Sequence, residues 1–276
     1  MKKIILLISI FFLLIPAANS QSKKKNLRNE IVVSEFDTIL DSLNVKGAIL
    51  IFDSDKKTYY SNNFNWAKAG HLPASTFKVP NSIIALETGV VKNETDILKW
   101  NGEKRARKNW EQDLTFKQAF QLSCLPCYQE IARKIGVDRM NFYLKKLNYN
   151  TMVFDSSTID NFWIQGKSHI SQFQQIAFLE KLQSSKLPIS KKTESIIKEI
   201  MEIEKTDDYV LRGKTGWSIT NEVNNGWLVG YIEKNKSIYF FATNLEPKTE
   251  MVDFGSTRIN ATKEAFKKLK VIKQED

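Results

Sequence analysis

Three β-rich segments in the C-terminal part of the chain determine the expected fold: Tyr209-Val-Leu-Arg-Gly-Lys-Thr215, Gly226-Trp-Leu-Val-Gly-Tyr-Ile232 and Ser237-Ile-Tyr-Phe-Phe-Ala-Thr243. Short polar turns separate them, and strands joined in this way pair antiparallel. Two further segments nearer the N-terminal end, 47–52 and 57–61, flank a turn and have the pattern of a hairpin. The sheet is therefore expected to take strands from both ends of the chain.

A long helical region separates the two groups of strands. Its expected helices are Val79–Thr88, Phe116–Leu122, Tyr128–Ile135, Met140–Leu147, Ser171–Leu182 and Lys191–Glu204. A last helix is expected over about 257–269, and residues 21–40 are polar and expected to be loosely held. The predicted fold class is α/β of the α+β type: an antiparallel sheet flanked by helices, with an all-helical insertion over about 75–205. Residues 21–276 are expected to form one domain.

The first 20 residues have the features of a secretory signal peptide. Lys2 and Lys3 precede an apolar run too short to span a bilayer, and small residues come after it. The sequence therefore predicts export to the periplasm with cleavage near Ser20, and no membrane anchor. The formal charge of +10 comes mostly from scattered residues without a nucleic-acid motif, so we expect no nucleic-acid partner.

The two cysteines form the sequence Cys124-Leu-Pro-Cys127, and they have several possible explanations. A metal site is not expected, because the only two histidines, His71 and His169, lie far from the cysteines and from each other in sequence. An exported protein can form a disulfide. The favoured interpretation is nevertheless a pair of small apolar packing residues, with the disulfide left open.

The stretch Ser75-Thr76-Phe77-Lys78 carries the first chemical signal. Residues three apart lie on one face of a helix, so an amine can lie beside a hydroxyl. A serine needs such a base to act as a nucleophile. The pattern alone is weak, and its value depends on partner motifs nearer the C-terminus.

Two such motifs occur at fitting places. Lys214-Thr215-Gly216 ends a predicted strand, where a cation, a hydroxyl and a closely approaching backbone can hold an anionic ligand. Ser123 stands in a short break between two predicted helices, where a second hydroxyl can pass on a proton. The order of the three motifs resembles that of the serine-reactive penicillin-recognising enzymes. The local strings 73–78, 128–136, 162–171 and 214–217 resemble most closely the class D, oxacillinase-type β-lactamases.

This resemblance implies a mechanism and a set of roles. Ser75 would attack the lactam carbonyl of a small β-lactam substrate, and Ser123 would relay a proton to the leaving nitrogen. Lys78, carboxylated by carbon dioxide or bicarbonate, would be the general base, with the Trp163 indole N–H holding the added group. The substrate would contact Lys214, Thr215, Gly216, Trp217, Leu125 and, by its position near the last helix, Arg258; no other cofactor is implied.

Two positions depart from the usual class D pattern. Leu125 replaces a valine and keeps an apolar wall, whereas Tyr149-Asn150-Thr151 replaces Tyr-Gly-Asn and leaves the local turn in doubt. Two alternatives remain: a penicillin-binding transpeptidase or carboxypeptidase, and a β-lactam sensor that is acylated without turnover. The substrate spectrum and the choice between monomer and homodimer stay open.

Overall fold

The computed structural model describes residues 28–273, in which a seven-stranded sheet is flanked by helices on both faces. The strands are β1 (Asn29–Val32), β2 (Val45–Asp53), β3 (Thr58–Ser61), β4 (Ile97–Leu98), β5 (Leu114–Thr115), β6 (Glu202–Lys205), β7 (Val210–Thr220), β8 (Val223–Lys234) and β9 (Ser237–Pro247). The helices are α1 (Glu35–Ser42), α2 (Phe64–Lys68), α3 (Lys78–Glu87), α4 (Phe116–Gln121), α5 (Leu125–Ile135), α6 (Val137–Lys146), α7 (Gln172–Gln183), α8 (Lys191–Ile200) and α9 (Phe254–Lys268). The predicted leader, residues 1–20, lies outside the described residues.

The main sheet has the strand order β1-β3-β2-β9-β8-β7-β6, while β4 and β5 form a separate ribbon. Strands from the two ends of the chain meet where β2 pairs with β9, as expected, and the pairs from β2 to β6 are antiparallel. One pair departs from the prediction, because β1 runs parallel to β3. The α+β fold with a helical region between the two groups of strands is thus confirmed. The insertion over about 75–205 is not all-helical, however, because it contains β4, β5 and β6.

The sheet separates two apolar cores. On one face, α1 and α9 pack against side chains such as Ile49, Leu228 and Phe241. On the other face, Leu50, Val229 and other strand residues pack against the helical region. Alternating residues of one strand point to opposite faces, so both faces of the central strands are apolar and buried. Within residues 28–273, no helix has the length and apolarity needed to cross a bilayer.

Three local predictions were wrong. Residues 21–40 were expected to be loose, but α1 begins at Glu35 and buries Phe36, Ile39 and Leu40, a spacing that places one apolar stripe on a helix. The helix predicted over Lys191–Glu204 ends at Ile200, because the chain turns there to form the edge strand β6. The favoured interpretation of the cysteines also fails, since Cys124 and Cys127 are joined in a disulfide.

Local geometry explains this disulfide. Cys124 is the N-cap of α5 and Cys127 lies in its first turn, so their Cα atoms are 5.4 Å apart. That separation is within the range that a disulfide spans. Both cysteines are buried beside Arg105, whose Nη1 lies 3.7 Å from Cys127 Sγ.

Candidate active site

Ser75 and Lys78 meet at the start of α3. Residues Ala74–Phe77 form a 3₁₀ turn that runs directly into the helix, and Lys78 Nζ lies 3.1 Å from Ser75 Oγ. Ala74 has a φ of +49°, a region that residues with a Cβ rarely adopt, and its N–H donates to Trp163 O at 2.7 Å. Such strained backbone is common at functional sites. The turn therefore places a hydroxyl and an amine within hydrogen-bond distance, as the sequence predicted.

Lys78 is buried, with 1 % of its surface exposed. Its Nζ lies 5.0 Å from the ring centre of Tyr128, whose hydroxyl is 2.7 Å from Ser82 Oγ. Burial disfavours an ammonium ion and, together with the positive charge of Arg107, lowers the pKa of Lys78 to about 7. Near neutral pH this side chain is thus able to accept a proton.

Close to this turn, the indole N–H of Trp163 is a hydrogen-bond donor that has no acceptor among residues 28–273. Its ring is fully buried and stacks on Phe77, with 5.5 Å between ring centres. Its Nε1 is buried and has no hydrogen-bond partner among residues 28–273. Buried polar groups are normally paired, so an unpaired N–H at this place fits an acceptor that the amino-acid sequence does not itself supply.

The sequence Lys214-Thr215-Gly216 lies on β7, next to the turn that carries Ser75. The edge strand β6 pairs with β7 only from Val210 to Arg212, so the next residues of β7 lie beyond that pairing. A Cβ atom on Gly216 would lie 3.1 Å from Pro73 O and 3.1 Å from Thr76 Cγ2. Glycine thus permits the close approach of β7 to the 3₁₀ turn.

Lys214 is buried, and its Nζ donates to Thr215 O at 3.1 Å and Thr215 Oγ1 at 3.3 Å. Burial, and then the positive charges of Lys78, Arg258 and Arg107, hold the pKa of Lys214 well below its ordinary value. A negatively charged ligand would relieve this repulsion. The site is therefore prepared for an anion.

Arg258 reaches the same strand from α9. Its Nη1 donates to Gly216 O and its Nη2 to Gly255 O at 3.1 Å, and 6 % of its surface is exposed. Burial and the charge of Arg107 lower the pKa of Arg258 to about 10. Its placement beside Lys214-Thr215-Gly216 agrees with the position expected from the sequence. Trp217 is the next residue of β7, and the Arg258 guanidinium carbon lies 5.8 Å from its ring centre.

Ser123 occupies the break between α4 and α5. Its φ is +56°, its N–H donates to Phe120 O at 3.1 Å, and Cys124 comes directly after it as the N-cap of α5. Its hydroxyl makes no hydrogen bond within the described part of the chain and so remains available. Leu125 is half-buried and packs against the apolar core that contains Phe77 and Trp163.

The turn at Tyr149-Asn150-Thr151 forms without the usual glycine. Asn148 takes the left-handed conformation at φ +58°, which asparagine tolerates better than most residues. Tyr149 is then buried, and its backbone N–H donates a hydrogen bond to Leu144 O at 2.9 Å. Thr151 O accepts a hydrogen bond from the backbone N–H of His169 at 3.2 Å. The preceding asparagine thus supplies the positive φ of this turn.

Three residues near the site were not predicted from the sequence as site residues. The ring of Tyr128 lies beside Lys78 Nζ. Asn81, one turn along α3 from Lys78, is fully buried with both amide atoms unpaired among the described residues. Arg107 is exposed, and its charge acts on three buried cations. The helical register after Lys78 points to Asn81, whereas no sequence signal identifies Arg107.

Comparisons with known proteins agree with this geometry. The family described as "Penicillin binding protein transpeptidase domain" matches residues 42–269. Beta-lactamase OXA-10 of Pseudomonas aeruginosa is 44% identical over 209 residues, which cover 75% of this chain and 78% of that protein. Beta-lactamase OXA-48 of Klebsiella pneumoniae is 39% identical over 227 residues, 82% of this chain and 84% of that protein.

Solved structures give the same result. The crystal structure of a class D β-lactamase, YbXI from Nostoc, superposes with a TM-score of 0.83 and 42% identity, covering 86% of this chain and 99% of that one. The chain therefore belongs to the penicillin-binding protein transpeptidase family and, within it, to the class D β-lactamases, which are serine hydrolases.

Proposed function

We propose that this enzyme hydrolyses the amide bond of penicillin-type β-lactams through a covalent intermediate on Ser75. The observation that carries the proposal is the 3.1 Å separation between Ser75 Oγ and a buried Lys78 Nζ whose pKa is about 7. A base at that distance can take the hydroxyl proton as the oxygen attacks the lactam carbonyl. Water then releases the acyl group and restores Ser75.

We further propose that Lys78 works in its carboxylated form. Carbon dioxide supplies a carboxylate at Nζ, a general base for acylation and for activation of the attacking water. Only an unprotonated amine reacts with carbon dioxide, and the lowered pKa of Lys78 provides one near neutral pH. The unpaired Trp163 Nε1 supports this proposal, because a buried carboxylate needs a hydrogen-bond donor.

The remaining roles rest on the basic lining of the site. Lys214, Thr215 and Arg258 would hold the substrate carboxylate, and Arg258 can offer two N–H groups to one carboxylate. The backbone N–H groups of Ser75 and Trp217 would bind the carbonyl oxygen as negative charge develops on it. Ser123 would hand a proton to the departing nitrogen, and Leu125 would form part of the apolar wall.

Steady-state hydrolysis of a chromogenic cephalosporin, with and without added bicarbonate, tests the proposed reaction. We expect repeated turnover that bicarbonate increases, and loss of turnover with slower acylation of Ser75 in Lys78→Ala. A single stoichiometric burst without turnover in either condition would instead indicate an acylated sensor or a penicillin-binding transpeptidase.

A second measurement tests the modification itself. After addition of ¹³C-labelled bicarbonate, a ¹³C NMR spectrum of the active enzyme should show a carbamate signal that Lys78→Ala lacks. Full activity without that signal would contradict carboxylation while leaving the acyl-enzyme proposal intact.

We also propose that the enzyme is exported to the periplasm, as the leader-like residues 1–20 indicate. Cell fractionation and then N-terminal sequencing of the purified protein test this, with a new N-terminus near residue 21 expected. Recovery of the uncleaved chain from the cytoplasm would contradict export. Sedimentation would distinguish a monomer from a homodimer.

A further inference from the structure

Arg107 is an exposed cation fixed beside the site. Its guanidinium carbon lies 5.1 Å from the ring centre of Trp110, a residue that is 6 % exposed. Trp110 Nε1 donates at 3.0 Å to Leu122 O, the residue before Ser123, and Trp110 O accepts from Arg105 at 2.7 Å. Two hydrogen bonds thus fix the position of Trp110, and the contact with its ring restricts the position of the Arg107 charge.

Arg107 also differs from the basic residues around it. Lys108 pairs with Glu111 at 2.7 Å, and Arg105 donates to Trp110 O. Arg107 has no ion pair and no hydrogen bond from its guanidinium within residues 28–273, and it is exposed. Its donors are therefore free to bind a ligand.

The charge of Arg107 extends into the site. It adds to the effect of burial on the pKa of Lys78 and of Arg258, and it contributes to the lowered pKa of Lys214. Arg107 therefore lies close enough to the site for its charge to act on three buried cations there. An anionic group bound there would be attracted rather than repelled by its surroundings.

A count of charges in the proposed complex leaves this cation unmatched. The count rests on the proposed function: the substrate carboxylate and the carboxylate on Lys78 supply two negative charges, and Lys214 and Arg258 supply two positive ones. Arg107 is a third cation. We propose that Arg107 is a specificity-determining residue that binds a second anionic group, carried on the side chain of the substrate, and so favours dianionic β-lactams.

A matched pair of penicillins tests this proposal. Benzylpenicillin and carbenicillin share one nucleus and one phenyl side chain, and carbenicillin adds an α-carboxylate. The measured quantity is the ratio of kcat/KM for carbenicillin to that for benzylpenicillin. In Arg107→Gln we expect this ratio to fall about three- to tenfold, as for loss of one partly exposed, charge-assisted contact.

Two further variants distinguish a direct contact between Arg107 and the substrate from a long-range electrostatic effect of the positive charge. Lys108→Gln removes the same charge from the adjacent residue and should leave the ratio within about twofold of the unmodified enzyme. Arg107→Lys keeps the charge but not the planar fork, so its ratio should lie between those of the Gln variant and the unmodified enzyme.

An equal fall in Arg107→Gln and Lys108→Gln would overturn the proposal, because it would show a long-range field. An equal loss for both penicillins in Arg107→Gln, or an unchanged ratio, would also overturn it. These outcomes leave the proposed function standing. Failure of the unmodified enzyme to hydrolyse either penicillin would overturn both proposals.

Discussion

Lys78 Nζ lies 3.1 Å from Ser75 Oγ, in a site where Lys78 is buried without a carboxylate partner among residues 28–273. A lysine in water is protonated up to a pKa of roughly 10.4. Burial, with help from the charge of Arg107, brings the pKa of Lys78 to about 7. The hydrogen bond between the two side chains thus joins a hydroxyl to an amine that is half-deprotonated near neutral pH.

The pH profile of kcat/KM should report this ionisation. The ammonium form below about pH 7 neither accepts the Ser75 proton nor reacts with carbon dioxide, so activity should rise between pH 6 and pH 8. If dissolved carbon dioxide is held constant across the pH range, a series measured at a higher concentration should have its midpoint at lower pH, because carboxylation removes neutral amine. Stopped-flow hydrolysis over this pH range provides the measurement.

The chain has only two histidines, and burial lowers the pKa of one of them, His71. His71→Gln and His169→Gln should keep the midpoint of the wild-type profile if Lys78 determines it. A profile that is flat from pH 6 to pH 8, or a midpoint that disappears in either histidine variant, would assign the ionisation elsewhere.

Replacing Lys78 with methionine should stabilise the folded protein. At pH 7 in solutions free of carbon dioxide, the shift of the Lys78 pKa from 10.5 to about 7 disfavours folding by up to about 5 kcal/mol. Loss of the hydrogen bond to Ser75 offsets about 0.5–1.5 kcal/mol of the gain. Urea unfolding should show a higher free energy of unfolding for the variant.

The sign of the pH dependence makes this prediction specific. Between pH 7 and about pH 10 the unfolded chain binds more protons at Lys78 than the folded chain does. The stability of the wild-type protein at this site therefore rises with pH, and the advantage of Lys78→Met should shrink by up to about 1.4 kcal/mol per pH unit. Lys134→Met, at an exposed lysine paired with Glu130, should show no such trend from pH 7 to pH 9. A constant or growing advantage of Lys78→Met would contradict the lowered pKa.

Trp163→Phe should raise the bicarbonate requirement. Phenylalanine retains an aromatic ring for the stack on Phe77 and removes only the unpaired Nε1–H. A hydrogen bond to a charged group contributes about 1.5–3 kcal/mol, so the bicarbonate concentration for half-maximal activity should rise about tenfold or more. Titration of activity with bicarbonate measures this, and the ¹³C carbamate signal should weaken in parallel.

Trp66→Phe is the matched control. The Trp66 indole N–H donates at 2.9 Å to Asn244, a side chain on β9, so this variant should keep the wild-type bicarbonate requirement. An unchanged requirement in Trp163→Phe would show that its N–H does not hold the added group.

The sheet could be predicted because its central strands are continuous apolar runs separated by short turns. The apolar runs around Trp227 and Phe241 admit few other structures, and both residues are buried in β8 and β9. The same pattern placed Lys214 on β7. Helix α1 was missed because its apolar stripe, Phe36, Ile39 and Leu40, occurs among many polar residues.

The residues of the candidate site could be predicted from the sequence, but their burial and the charges around them could not. The order of the motifs was enough to group Ser75, Lys78 and Lys214. The pKa of Lys78 depends on how deeply the helical region buries it, and the position of Arg107 depends on its stack against Trp110. The pKa of Lys78 results from contacts between segments that are distant in sequence, and the position of Arg107 results from the geometry of its loop. A single sequence reveals neither.

The Cys124–Cys127 disulfide should stabilise the fold only modestly. It closes a loop of four residues, for which the loss of chain entropy in the unfolded state amounts to about 2 kcal/mol. We expect Cys124→Ala/Cys127→Ala to lower the free energy of unfolding by about that amount, plus a smaller loss from buried sulfur. Reductant should destabilise the wild-type protein and leave the double variant unchanged.

Activity should respond as well, because the disulfide lies between Ser123 and the first turn of α5. Ser123 holds a φ of +56°, and Leu125 lies within the closed loop. Without the cross-link this segment can relax, so we expect kcat to fall severalfold while the hydrogen bond between Ser75 and Lys78 remains. Mass analysis after alkylation in denaturant is the direct check: unreduced protein should gain no alkyl groups and reduced protein two. Alkylation of both cysteines without reduction would show that they are free thiols. Reductant would then have no disulfide to cleave, and the predicted loss of stability on reduction would be wrong.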